Sequence, residues 1–477
     1  MGMGGLNGRS TGASASSTYF NPALLAHADP GLDLGLFVLG DWIDIDPTGR
    51  PSASADIPEA VRFYARPEGI GLSPVPVPTV WLQEGVQVDE TPRAPHPRQS
   101  APSSDEIRAY STVGLVNRVF GQSLVLGLYA MIPLGGFTAA NSFYNDEREQ
   151  FFSNSLHPEL YADRLSSADL AFGLASRVYE RLSLGLSFTL NLTNEATTPT
   201  YVPDAARLDR MAIDSRIDVT TAVSPHFGVV FDALNDLRLT AAVHTPQSME
   251  INTNVEYLLN SGQQQHNTFT FVHGFLPWSA SVGLSYRFLK PANPETREQG
   301  LSAVGTVTFC DWSDYRDRHG ERPSTVYRWQ QTLTPSLGLR YDRHDLRGQL
   351  DFTYVPTPVP TQTGRRNYVD SDRVGFLSGV DYGFELFDAD IRAGLHLQLH
   401  WLANRRHSKL EGDDPAAERL EADDLVIDEV PDDAVDRQQI DPATGQYQAA
   451  AGREGLQTNN PGWPGFASRG WLFGAGV

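Results

Sequence analysis

Period two dominates this chain. From Leu182 to Leu192 every second residue is Leu or Phe (Leu182, Leu184, Leu186, Phe188, Leu190, Leu192), and between them stand Ser183, Gly185, Ser187, Thr189 and Asn191. Leu395, Leu397, Leu399 and Trp401 alternate in the same way with Gly394, His396, Gln398 and His400. The pattern recurs around Leu124–Leu128, Leu237–Val243, Val282–Phe288, Leu337–Tyr341, Leu350–Tyr354 and Val374–Tyr382. Successive strand residues point to opposite faces, so each run predicts a strand with one apolar face. A soluble sandwich alternates too, with its apolar face turned into a shared core. Here the second face is mostly small or polar, and several runs reach about ten residues, the length that crosses a bilayer at a tilt. A membrane barrel is the favoured reading.

Connection lengths test that reading, because such barrels have short turns at one end and long loops at the other. A first strand around Leu32–Asp46 leads into a long Pro-rich connection to about Ala109. Tight turns at "NRVFGQ", "VYERLS", "DALND", "DRHD" and "ELFDAD" then alternate with longer excursions, the last running from about 402 to 466. "LKPANPETREQG" is somewhat long for the short-turn side. The count is about fourteen strands, with both chain ends on the short-turn side. Residues Ser123–Phe137 form the one span resembling a membrane helix, but its apolar core is short and Pro133 with Gly135 and Gly136 would break it, so it reads as a strand.

Composition narrows the partners. A net charge of −21 leaves no basic stripe for nucleic acid, whose binding requires clustered Lys and Arg. One cysteine, Cys310, excludes a disulfide framework and a thiolate zinc site. No secretory signal begins at Met1.

The opening stretch, "MGMGGLNGRSTGASASSTYFNPALL", is Gly/Ser/Ala-rich and runs into Asn21-Pro22-Ala23. It resembles the N-terminal hatch of the FadL/TodX family of outer-membrane transporters. Further similarities follow in order: "FLPWSASVGLSYRF", "VTFCDWSDY" with Trp312 and Ser313, "YVPTPVPTQTGRRNYVDSDRVGF" with Pro358, Pro360, Asp372 and Arg373, and "SRGWLFGAGV". They span nearly the whole chain. The resemblance implies an all-β, 14-stranded antiparallel transmembrane barrel, residues 32–477, with long outer loops at about 47–108, 133–166 and 402–466. Residues 1–31 would be a plug in the lumen. It also implies passive uptake of long-chain fatty acids or aromatic and aliphatic hydrocarbons by a monomer in a Gram-negative outer membrane, bounded by lipid and lipopolysaccharide. It places "MGMGG" inside the hatch motif, so a signal peptide and a few hatch residues are expected to precede Met1.

Each candidate site has a bland counterpart. Without the barrel, the opening segment equally fits a disordered tail. Inside a lumen too wide for wall side chains to fill, it fits a plug. Phe20, Leu24 and Leu25 would then offer apolar surface to a ligand. Pro133, Gly135 and Gly136 suit the kink by which the family's third strand opens sideways, or a plain strand end. His396 and His400, four apart on one strand, lie roughly 13 Å from each other, too far to share a metal. No metal site or cofactor is expected, and Cys310 reads as a wall residue. Trp42, Trp312, Tyr315, Trp401 and Trp471 are candidates for interfacial girdles. Asp413-Asp414, Asp423-Asp424 and Asp432-Asp433 lack a calcium-loop spacing and read as a solvated acidic loop. No G-x-S-x-G or H-E-x-x-H motif supports an enzyme. A FadL-like secretion component and a water-filled porin remain as alternatives to the transporter.

Overall fold

The computed structural model describes residues 5–47, 107–120, 123–134, 156–158, 169–202, 212–213, 216–259, 264–289, 300–316, 322, 329–343, 345–360, 367–387, 389–408 and 465–477. Fourteen strands follow one another: β1 (Gly31–Pro47), β2 (Ile107–Val119), β3 (Leu124–Pro133), β4 (Asp169–Tyr179), β5 (Leu182–Val202), β6 (Arg216–Leu234) and β7 (Leu237–His244, resuming as Gln247–Leu259). Then come β8 (Gln264–Leu276, resuming as Trp278–Leu289), β9 (Gly300–Asp311), β10 (Thr332–Arg343), β11 (Leu346–Val355), β12 (Arg373–Leu386), β13 (Ala389–Ser408) and β14 (Gly465–Gly476). Neighbours pair antiparallel, and β1 closes the cylinder by pairing with β2 on one edge and β14 on the other. Closure leaves no edge strand in the wall, which is what a sheet in lipid requires.

The barrel is inside-out relative to a soluble protein. Leu337, Val282 and Leu350 are each more than half exposed, as are many other outward Leu, Val and Phe. Inward-facing Ser183, Ser187, Thr189, His226, Ser281, Thr306 and Gln349 are buried. An apolar band of this extent would cost about 25 cal/mol per Å² in water, a cost that contact with lipid tails removes. Among the described residues no helix is long and apolar enough to cross a membrane. The strands make the crossing.

Trp42, Trp471 and Trp401 are register partners on β1, β14 and β13, all outward-facing and about half exposed. They form a girdle at the long-loop end. Trp312 and Tyr315 do not join it. They are buried with Phe275, Trp329, Tyr368, Val272 and Val359, and Tyr315 stacks on Trp329 at 3.4 Å between ring centroids. Trp312 ends up inside because it continues the inward face of Thr306, Thr308 and Cys310 just past the end of β9, where its Nε1 donates to Thr332 Oγ1 at 3.2 Å. β13 also runs six residues beyond Leu402, to Ser408, past the point where the last long loop was expected to begin. The acidic pairs of that loop lie outside the described residues, as do Gly135 and Gly136.

Candidate functional site

The N-terminal residues lie within the cylinder. They run as three short helical turns, Gly5–Asn7, Ser17–Phe20 and Pro22–His27, and enter β1 at Gly31. Small side chains let this backbone approach the wall closely. The Asn21-Pro22-Ala23 sequence builds its own turn: Asn21 Oδ1 accepts from Ala23 N at 3.2 Å, and Pro22 takes the first helical position, where a missing N–H costs nothing. Asn21 Nδ2 meanwhile donates to Arg9 O at 2.8 Å, tying the two halves of the segment together.

Beneath this turn the wall is glycine. Gly185 and Gly228 are register partners on β5 and β6. A Cβ on Gly185 would run into Pro22 and Ala23 backbone, and one on Gly228 into Asn21 Oδ1 and Ala23 N. Gly127 and Gly173 form a second such pair on β3 and β4, under Thr18 and Leu25. All four sit at inward parity, so alternation made them visible in the sequence as small positions, but not as a docking floor.

Leu24 and Leu25 are fully buried. Leu24 packs with Ala23 and Val230, and Leu25 with Val116, Val125 and Ala175. Their side chains face the wall and leave no surface for a ligand. Phe20 is half-buried, its ring edge-on to Tyr19 at 5.2 Å.

Polar anchors hold the segment at both ends. Asp351 on β11 accepts from Leu6 N and Asn7 Nδ2, both at 2.8 Å, while Arg340 chelates it at 2.6 and 3.1 Å. Ser10 Oγ and Asn7 Oδ1 both meet Thr306 Oγ1 on β9. At the short-turn end Arg118 donates to Ala28 O at 2.9 Å. There His27 Nδ1 faces Arg177 Nη2 at 3.1 Å and Arg238 Nη2 at 3.2 Å, with Ser183 Oγ 3.2 Å from Nε2. Two arginine donors on Nδ1 make that nitrogen the acceptor, so the ring is neutral and Nε2 carries the hydrogen. Burial first, and then the charge of Arg238, lower the His27 pKa to about 4.

Toward the long-loop end the segment meets one cross-strand row of inward residues: His226, His244, Ser279, Cys310 and Thr332, register partners in turn on β6 to β10. The two imidazoles lie 4.2 Å apart, Tyr19 stands edge-on to both, and His244 Nε2 bonds Phe20 O at 2.9 Å. Just above this row the wall changes. The β6–β7 ladder ends at His226–His244, and the outer part of β7 pairs in parallel with β5 instead. Pro225, Pro246 and Pro277 lie there on three consecutive strands, each without an N–H for the ladder. β3, by contrast, keeps an unbroken ladder to β2 through Pro133 and to β4 through Met131.

The remaining motif positions support the outer ends of the strands. Asp372 accepts from Tyr354 Oη at 2.6 Å and Thr357 N at 2.8 Å, and Ser313 N donates to Asp311 Oδ1 at 3.1 Å. Pro358 O accepts from Gln330 N, Pro360 O from Arg405 Nη2, and Arg373 opens β12. His396 bonds Gln349 Nε2 at 2.6 Å and lies 3.3 Å from Asp381, a lumen network rather than a metal pair. Among the described residues no group of three or more His, Cys, Asp or Glu is placed to hold a metal.

A solved structure of a FadL homologue from Pseudomonas aeruginosa superimposes with a TM-score of 0.57, covering 98% of this chain and 94% of its own, at 15% identity. The chain has the FadL-type barrel fold. The toluene transporter TodX of P. putida matches with a TM-score of 0.45 at 10% identity, covering 98% of this chain and 97% of its own. No protein-family model matches the chain, and neither does any curated protein. At these identities the likeness is one of fold, and the roles of individual residues in this FadL-type barrel rest on the geometry above.

Proposed function

We propose that this FadL-type barrel carries hydrophobic small molecules, long-chain fatty acids or aromatic and aliphatic hydrocarbons, passively across an outer membrane, and that residues 1–31 act as its hatch. The observation that carries the reading is the combination of an apolar outer band with an N-terminal segment anchored inside the lumen to β2, β4, β5, β7, β8, β9 and β11. A plug fixed at Asp351, Thr306, His244 and His27 narrows the aqueous path, which disfavours the water-filled porin. An apolar solute entering from the long-loop end gains about 0.8 kcal/mol per buried CH₂, so no energy source is needed.

With the plug in place, the solute in this reading leaves through the wall. The interrupted ladder between β6 and β7 beside Pro225 and Pro246 supports that route among the described residues. The third-strand kink at Pro133, Gly135 and Gly136 stays a second route, resting on the resemblance. The decisive experiment is mass spectrometry of molecules co-purifying with the detergent-extracted protein, paired with conductance in planar bilayers. Retained apolar ligand with little conductance is expected. Large, steady ion conductance, or a stoichiometric protein partner with no apolar ligand, overturns the transporter.

A further inference from the structure

Two buried arginine–aspartate pairs face the lumen. Arg340 chelates Asp351 and Arg108 meets Asp41 at 3.3 Å. Arg9 of the N-terminal segment is different. Its guanidinium donates to Ser279 Oγ at 3.1 Å, and no carboxylate of the described residues reaches it. Five N–H donors therefore serve one neutral hydroxyl. The side chain is walled in by protein, and burial lowers its pKa with no carboxylate among the influences that offset it. It nonetheless keeps accessible surface, as do its neighbours Tyr19 and Phe20. Enclosure together with residual access is the signature of a group lining an internal space. Arg9 reaches the wall at Ser279, in the row His226, His244, Ser279, Cys310 and Thr332, which contains no acid.

An uncompensated guanidinium in such a place is costly, and its fork matches a carboxylate. From this we infer that Arg9 is the headgroup site for an apolar monocarboxylate, with the Tyr19 and Phe20 rings against the start of its tail. One cation and a row of weak or already engaged donors suit a single negative charge. A phosphate dianion would call for a second cation, and a neutral hydrocarbon would leave the charge bare. The inference deepens the transporter reading and rests on it: it assigns this barrel to carboxylated substrates and gives the hatch a binding role besides narrowing the path.

The test measures binding of radiolabelled dodecanoate and of its methyl ester to the detergent-solubilised full chain by equilibrium dialysis at pH 8. Arg9→Gln is expected to weaken dodecanoate about 10-fold or more, the loss of one charge-assisted hydrogen bond, and to leave the ester within about twofold. Arg9→Lys should fall between, keeping the charge but losing the fork. Hydrogen exchange of residues 5–28 unchanged from wild type shows that the hatch is still docked, since Asn21 holds the Arg9 carbonyl and not its side chain. Equal weakening of both probes, or of neither, overturns the inference. Wild-type binding of the ester without dodecanoate overturns it as well while leaving the transporter intact. Binding of neither probe overturns this inference, while the transporter reading is decided separately by the co-purified molecules and the conductance.

Discussion

Substituting Gly185 by alanine tests whether the N-terminal segment rests on the wall as described. The added methyl would overlap the Pro22 carbonyl carbon and the Ala23 nitrogen, which are backbone atoms and cannot rotate away. Restoring ordinary contact requires a shift of about 1 Å in the Asn21-Pro22-Ala23 turn. Overpacking of this kind costs about 1–3 kcal/mol. The shift also strains the Asn21 bonds to Arg9 O and Ala23 N, each worth about 0.5–1.5 kcal/mol. Together these give about 2–6 kcal/mol against docking, which raises the undocked population roughly 30-fold to on the order of ten-thousand-fold. Hydrogen–deuterium exchange read by mass spectrometry reports that ratio directly, as faster exchange confined to residues 5–28. Gly348→Ala is the matched control, since a Cβ there meets only Tyr341 Cβ at 4.0 Å. If Gly185→Ala exchanges like the control, the segment does not sit on this glycine floor and the argument fails.

Acidification should loosen the same segment. His27 is held neutral with a pKa of about 4 when docked against an ordinary 6.5 when released, so protonation favours release. Docking is then fully supported above pH 6.5, weakens as the pH falls from 6.5 to 4, and changes no further below. Exchange rates of residues 20–28, corrected for intrinsic pH dependence, should show that window, and His27→Gln should flatten it. Asp351→Ala should cost about 3–5 kcal/mol, because it strips Arg340 of its chelating carboxylate and Leu6 and Asn7 of their acceptor; the heat-induced gel-mobility transition of the barrel measures the loss. Single-tryptophan variants in brominated lipid should show strong quenching at Trp42, Trp401 and Trp471 and weak quenching at Trp312 and Trp329. Equal quenching at all five would contradict the placement of the girdle.

Much of the barrel was legible because lipid imposes a strict rule on sequence. Leu184, Leu186 and Phe188 had to alternate with Gly185, Ser187 and Thr189 once one face met hydrocarbon and the other a polar lumen, and the short turns fixed strand count and direction. Aromatic placement was less legible. Trp42 and Trp312 look alike as residues at strand ends, yet one continues an outward face and the other an inward one, and only register separates them. The opening segment carried its small residues and Asn21-Pro22-Ala23 openly. Leu24 and Leu25, however, read as apolar surface for a ligand, and only the fold turned them to the wall.

The sequence by itself thus determined the class of architecture, the strand alternation and the presence of an unusual N-terminal segment, since each follows from local periodicity and composition. Tertiary structure alone decided what that segment touches. Gly185 meets Gly228 from the next strand, Asp351 meets Leu6 from 345 residues away, and Arg9 faces a row drawn from five strands with no acid in it. Such meetings depend on how the sheet closes and on which residues share a level around the cylinder, and neither is written in any one stretch of chain.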